Sequence, residues 1–179
     1  MPPRAVAVVE SRSRRLQAAA GSAVFLVVAP GFFVGVVPWW ISHWQLQAPL
    51  LGIPATRLLG ILLILLGLPV LLDSFTRFAL DGLGTPAPVF PTRTLVIRGF
   101  YRYVRNPMYL AVVSIILGQG FVLGDPRLIV YGLLGWLVTH LFFVLYEEPT
   151  LRRSFGTDYD RYRAAVPRWI PRRPSGDSD

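Results

Sequence analysis

Four long apolar stretches, separated by short polar pieces, restrict this chain more than any other feature. They cover roughly 16–41, 57–78, 107–123 and 128–146, the second built on LLGILLILLGLPVLL and the fourth reading LIVYGLLGWLVTHLFFVLY. A membrane-spanning helix needs about 20 mostly apolar residues, within a range of about 17–25. The first, second and fourth stretches meet that requirement comfortably, and the third sits at its lower edge. Gly124-Asp125-Pro126 forms a tight turn between the third and fourth, which predicts an antiparallel helical hairpin. Pro30 and Pro69 fall inside spans, where neighbouring helices can satisfy the freed carbonyls, and they are expected as kinks. The expected fold is all-α: an integral membrane protein of about four transmembrane helices, with a C-terminal hairpin and a short cytoplasmic amphipathic helix.

A net charge of +8 would suggest nucleic acid in a soluble chain. Where the charge sits decides otherwise. All 18 basic side chains are arginine. The N-terminal tail carries Arg4, Arg12, Arg14 and Arg15, and the region between the second and third spans carries Arg77, Arg93, Arg98, Arg102 and Arg105. The C-terminal tail adds Arg152, Arg153, Arg161, Arg163, Arg168, Arg172 and Arg173. Only Arg57 and Arg127 fall on the opposite side. That asymmetry is the positive-inside pattern for four spans with both termini cytoplasmic, and Trp39, Trp40 and Trp44 mark the outer interface. Nucleic-acid binding therefore loses its main support. The apolar run after Arg15 is longer than a signal-peptide core of about 7–15 residues and has no clean cleavage site, so a retained first span is expected. There is no cysteine, which excludes disulfides, thiolate metal sites and cysteine nucleophiles, and two histidines exclude a histidine-rich metal centre.

Two cytoplasmic segments are richer than topology requires: 77–109, and the stretch that begins at Glu147-Glu148. In a hairpin of two similar helices the start of the third span lies close to the end of the fourth, so Arg105 and Asn106 should approach Glu147 and Glu148. Asn is a favoured N-cap and Pro a favoured first helical residue, so Asn106-Pro107 should open the third span. A helix start presents free N–H groups and a positive dipole end, suited to a carboxylate, and Arg102 and Arg105 reinforce that sign. A capped helix with arginines facing lipid phosphate explains the same residues without a site.

Two adjacent carboxylates directly after an apolar run are costly without partners or a polar cavity. Pairing with Arg152 and Arg153, about one helical turn on, is the purely structural account. His140 lies seven residues before Glu147 and deeper in the span, where a packed, hydrogen-bonded role is the commoner one. Asp73 is most simply the partner of Arg77. Gly118 and Gly120 permit close helix packing. Tyr159 and Tyr162 share a face of an amphipathic C-terminal helix.

These pieces together resemble one family. GFYRYVRNPMY is similar to the Gly-x-Tyr…Arg-(His/Asn)-Pro-x-Tyr motif of the isoprenylcysteine carboxyl methyltransferase and phospholipid (phosphatidylethanolamine) methyltransferase superfamily. YEEPTLRRSFGTDYDRYRAAVPRWIP resembles its Glu-Glu-x-x-Leu…Phe-Gly-x-x-Tyr-x-x-Tyr…Val-Pro tail, and the match covers roughly residues 77–171. The resemblance implies methyl transfer from S-adenosyl-L-methionine to a lipophilic or lipid substrate at the cytoplasmic membrane face. By motif position it implies a cofactor site formed by Arg93, Thr94, Leu95, Val96, Tyr101, Asn106, Pro107, Met108, Tyr109, Glu147 and Glu148. Arg105 and His140 are candidate catalytic groups, His140 as a guess at the base an amine acceptor would need. Phe143 stands where the prenylcysteine enzymes carry an arginine implicated in holding the substrate carboxylate, and Asn106 replaces their histidine. Both departures weaken a prenylcysteine assignment. The expected division is a basic tail (1–15), two first spans (16–78), a catalytic region (79–171) and a disordered tail (172–179). The rival expectation is a non-catalytic lipid-binding or scaffold protein that keeps the fold.

Overall fold

The computed structural model describes residues 28, 30–80, 95 and 97–173, with only the backbone for 78–80. The basic N-terminal tail, much of the first apolar stretch and the site candidates Arg93, Thr94 and Val96 lie outside the described residues. Those residues form helices joined by turns, with no strand among them.

Helix α1 (Gly31–Ser42) begins with a π-helical turn over Gly31–Val36. The wide turn coincides with carbonyls that take side-chain donors from elsewhere: Gln119 Nε2 reaches Val34 O at 2.8 Å and the Tyr131 hydroxyl reaches Phe33 O at 3.0 Å. Helix α2 (Ala55–Leu80) runs 26 residues through Pro69, which removes one intrahelical donor without ending it. Helix α3 (Pro107–Leu123) coincides with the expected third span. Helix α4 (Pro126–Phe142) continues through a π-helical turn (Phe143–Glu147) into α5 (Glu148–Ala165).

The α2–α3 contact is the most extensive among the described residues. Leu71, Phe75, Ala111 and Ile115 form its core. A Cβ on Gly118 would lie 2.7 Å from the Gly60 carbonyl oxygen, so glycine sets how closely the two backbones approach. Elsewhere α2 is apolar all round and turns leucines outward, with Leu58 70 % and Leu65 62 % exposed, as a lipid-facing helix does. Ala55–Arg77 and the continuous run Pro126–Ala165 are long and apolar enough to cross a membrane, whereas Gly31–Ser42 and Pro107–Leu123 are shorter apolar helices.

The hairpin corner is built as its sequence demands. Gly124 takes φ +73°, the left-handed cap that ends α3, and Pro126 occupies the first turn of α4. Asp125 between them accepts from the Arg127 N–H at 2.9 Å, from Arg127 Nη2 at 2.7 Å and from Gln47 Nε2 at 3.0 Å.

The C-terminal helix α5 follows α4 directly through the π turn, runs 18 residues and kinks at Gly156, whose φ of +53° and ψ of −124° suit only glycine. The Glu148 N–H reaches back five residues to the Phe143 carbonyl, and Pro149 beside it has no N–H to give, which keeps the turn wide. One extra residue in a turn rotates the following face by about 100°.

Candidate functional site

The open end of the hairpin gathers five pieces of chain. A 3₁₀ turn (Gly99–Arg102) precedes α3, the π turn and α5 follow α4, and an extended return segment follows α5. The return is stitched to the start of α3: the Arg105 N–H donates to Pro167 O and the Arg172 N–H to Tyr103 O, both at 2.9 Å. Asn106 stands at the expected N-cap position, but its side chain caps nothing; Nδ2 donates instead to Arg168 O at 3.1 Å. With Pro107 lacking an N–H, the amides of Met108 and Tyr109 keep the free orientation of a helix start.

The adjacent acids divide in direction. Glu147 Oε2 accepts from the Tyr109 hydroxyl at 2.7 Å, and Glu147 makes no ion pair among the described residues. Its charge, after burial itself, raises the pKa of the nearby Tyr101 well above the usual phenol range. Tyr101 is buried; its hydroxyl hydrogen-bonds with Ser74 and its carbonyl accepts from the Tyr162 hydroxyl at 2.8 Å.

Glu148 is enclosed by arginine. Arg168 Nη2 lies 2.7 Å from Oε2, while Arg163 Nε and Arg105 Nη1 lie 3.1 and 3.3 Å from Oε1. Arg105 also donates to the hydroxyl of Tyr159, which is fully buried. The Phe143 ring holds the guanidinium carbons of Arg105 and Arg168 each 5.9 Å from its centroid. Arg152 turns away to Asp160 at 3.1 Å, so the expected pairing of the acids with Arg152 and Arg153 is replaced by three partners from outside that stretch.

His140 is committed to packing. Its ring stacks on Trp136 at 5.4 Å, and its Nδ1 accepts from Trp169 Nε1 at 2.9 Å. That bond occupies one of the two ring nitrogens, a poor arrangement for the base that an amine acceptor would need.

Two cavities flank the return segment. One, of about 450 Å³, is lined by Glu148 and by Arg152, Arg153, Arg163 and Arg168. The other, of about 510 Å³, is mainly apolar, bounded by Leu66, Val70, Tyr103, Pro107, Leu110 and Trp169.

Of the expected site residues that the structure describes, Tyr101, Asn106, Pro107, Tyr109, Glu147 and Glu148 converge here together with Arg105. Met108 packs against the α2–α3 core, and Leu95 is half-buried. The Asp73–Arg77 pair forms at 3.2 Å, and Asp73 also accepts from the Phe100 N–H at 3.3 Å. Arg163, Arg168 and Trp169 were absent from the expectation. Their signal was the Arg-x-x-x-x-Arg-Trp spacing in a tail whose arginines were read only as topology.

The sequence profile of the phospholipid methyltransferase family matches residues 55–158, from the first turn of α2 to the bent half of α5. The chain belongs to that family, and it is a membrane protein. It is also similar to a protein-S-isoprenylcysteine O-methyltransferase of Schizosaccharomyces pombe, 40 % identical over 83 residues. That alignment covers 45 % of this chain and 34 % of the relative, so the chain spans about a third of the length of the relative it matches.

Proposed function

We propose that the protein is an integral membrane S-adenosyl-L-methionine-dependent methyltransferase acting on a lipophilic or lipid substrate at the cytoplasmic face. In this reading the four apolar stretches all span, both termini are cytoplasmic, and residues 79–171 form the catalytic region. Glu147 carries the reading. A half-buried acid with one hydroxyl partner and no cation beside it among the described residues, next to a helix start, fits a ligand that brings its own positive charge.

When bound, the cofactor supplies a methyl group on a sulfonium for a single in-line displacement. The chain's part is binding and placement. Glu147 takes the amino group or ribose hydroxyls, and Tyr109 fixes the rotamer of that carboxylate. The free amides at Met108 and Tyr109, with Arg105 behind them, favour the cofactor's carboxylate. Glu148 holds Arg105 in place, and the resemblance adds Arg93, Thr94, Leu95 and Val96 to the proposed cofactor-binding residues. The apolar cavity beside Pro107 and Trp169 suits the hydrocarbon part of an acceptor. Restricting water around it strengthens the electrostatics on the reacting groups.

Isothermal calorimetry on detergent-purified protein tests this. Wild type is expected to bind S-adenosyl-L-methionine, and Glu147→Ala to lose that binding with its helical circular dichroism and melting temperature unchanged. Absence of binding by the wild type overturns the proposal and leaves a non-catalytic relative that keeps the fold. Transfer of labelled methyl groups into a membrane lipid extract then identifies the acceptor.

A further inference from the structure

The open end of the hairpin distributes its positive charge unevenly over two adjacent acids. Arg168 Nη2, Arg163 Nε and Arg105 Nη1 all lie within 3.3 Å of the Glu148 carboxylate. Glu147, one residue earlier and half-buried, has the Tyr109 hydroxyl at 2.7 Å on Oε2 and no partner on Oε1 among the described residues. The other groups that face it are phenols: Tyr101 from the 3₁₀ turn and Tyr159 from α5. The Tyr159 hydroxyl is itself taken by Arg105. The neighbour of Glu147 in the chain is a second carboxylate, and no guanidinium among the described residues offsets a charge on Glu147.

A desolvated carboxylate without a counter-cation is a proton acceptor, because the neutral acid is easier to bury than the anion. Glu147 lies just beyond the fourth apolar stretch, and burial raises its pKa above the ordinary carboxylate value; the Tyr109 hydroxyl opposes this as the weaker effect. The hydrogen bond suits both states. Tyr109 can donate to Oε2 of a carboxylate, or to the same oxygen as the carbonyl of an acid protonated on Oε1. We infer that Glu147 is a proton switch on the cofactor site: it takes a proton on Oε1 as the cytoplasmic side acidifies, and that proton has to leave before a cationic ligand binds. On binding, the Oε1–H bond breaks, the proton passes to water, and the carboxylate pairs with the ligand's amino group. The acid and its partner stay neutral as a unit, one positive charge replacing another, so affinity falls as pH falls. The inference rests on the methyl-transfer reading and adds to it a regulation by pH.

Calorimetry of S-adenosyl-L-methionine binding to the full chain in detergent, repeated from about pH 7 down to about pH 5, tests the inference. An ordinary carboxylate, with a pKa of about 4.3, would weaken binding only about 1.2-fold over that range. Wild type should weaken by more than about threefold. Heats measured in buffers of different ionisation enthalpy should show protons released on binding at the acid end and none at the neutral end. Glu147→Gln keeps the shape of the protonated acid, and it should bind more weakly than wild type does at the acid end, releasing no proton. Tyr109→Phe leaves the acid and removes the bond that favours its charged form, so its loss of affinity should begin at higher pH. A wild-type affinity that changes by no more than about 1.2-fold overturns the inference and leaves the cofactor reading standing. A Glu147→Gln protein that keeps the wild-type pH dependence also overturns it, and assigns the titration to His43 or His140, the two histidines of the chain. So does a Tyr109→Phe profile weakened by the same factor at every pH, since that is the mark of a merely structural bond. No cofactor binding by wild type at any pH defeats both proposals together.

Discussion

The two ends of the α3–α4 hairpin each bury a carboxylate and treat it in opposite ways. At the closed corner, Asp125 is fully buried and meets one arginine, one backbone amide and one side-chain amide from the loop before α2. Charge is matched one for one, and each contact ties chain to chain. At the open end, Glu148 faces three arginines beside a cavity, while its neighbour Glu147 has a single hydroxyl partner. Charge is mismatched in both directions over two residues. A balanced buried charge holds structure, and an unbalanced one leaves attraction available for a ligand.

The comparison can be broken most forcefully at Glu148. Glu148→Ala leaves Arg105, with its side chain 7 % exposed, buried without a counter-charge, and the expected loss is about 3–5 kcal/mol of stability. Thermal denaturation in detergent, followed by helical circular dichroism, measures it. A change below about 1 kcal/mol would remove Glu148 as the keystone of the open end.

At the closed corner, Asp125→Ala removes an N-cap and is expected to cost about 0.5–2 kcal/mol. This site also has a pH signature. Hydrogen bonds from Arg127 hold the Asp125 pKa below the usual carboxylate value. The unfolded chain therefore takes up the proton at higher pH than the folded one. The stabilisation is complete above the unfolded pKa of about 4 and is lost as pH falls below it toward the folded value. Melting temperatures of wild type and Asp125→Ala should converge as the pH is lowered from 6 through that window. Parallel curves would show that Asp125 contributes no proton-linked stability.

A smaller effect sharpens the picture of the open end. Tyr162→Phe deletes the bond to the Tyr101 carbonyl and should cost about 0.5–1.5 kcal/mol. Cofactor affinity read on the same variant shows whether α5 only supports the 3₁₀ turn or also sets the site's geometry. Fluorescence of Trp136 and Trp169 offers the mildest probe, since His140→Gln should alter emission with little change in melting.

Features that depend on nearby residues were legible in the sequence. Pro107 and Gly124 bound α3 through their own backbone preferences, and α2 exceeds its expected limits by two residues at each end. Asp73 finds Arg77 four residues on because helical spacing decides that contact. The meeting of Arg105 with Glu148 follows from hairpin geometry. What could not be read was the partnering of Glu148. Helical spacing pointed to Arg152 and Arg153, but Arg152 pairs with Asp160 instead and Gly156 bends the chain back. Arg163 and Arg168 therefore arrive from beyond the bend. Nor did the lone His140 announce Trp169, which reaches it only through the return segment.

The stitching of residues 167–172 onto Tyr103, Arg105 and Asn106 has a consequence for biosynthesis. The helices can enter the membrane in order as they leave the ribosome, but the acid-bearing end that follows α4 remains unclosed until the return segment has been translated. Insertion and maturation are thereby separated in time. A nascent chain arrested at residue 165 would hold helices α1 to α5 yet lack Arg168 and Trp169, so this pocket is completed only after those helices are made.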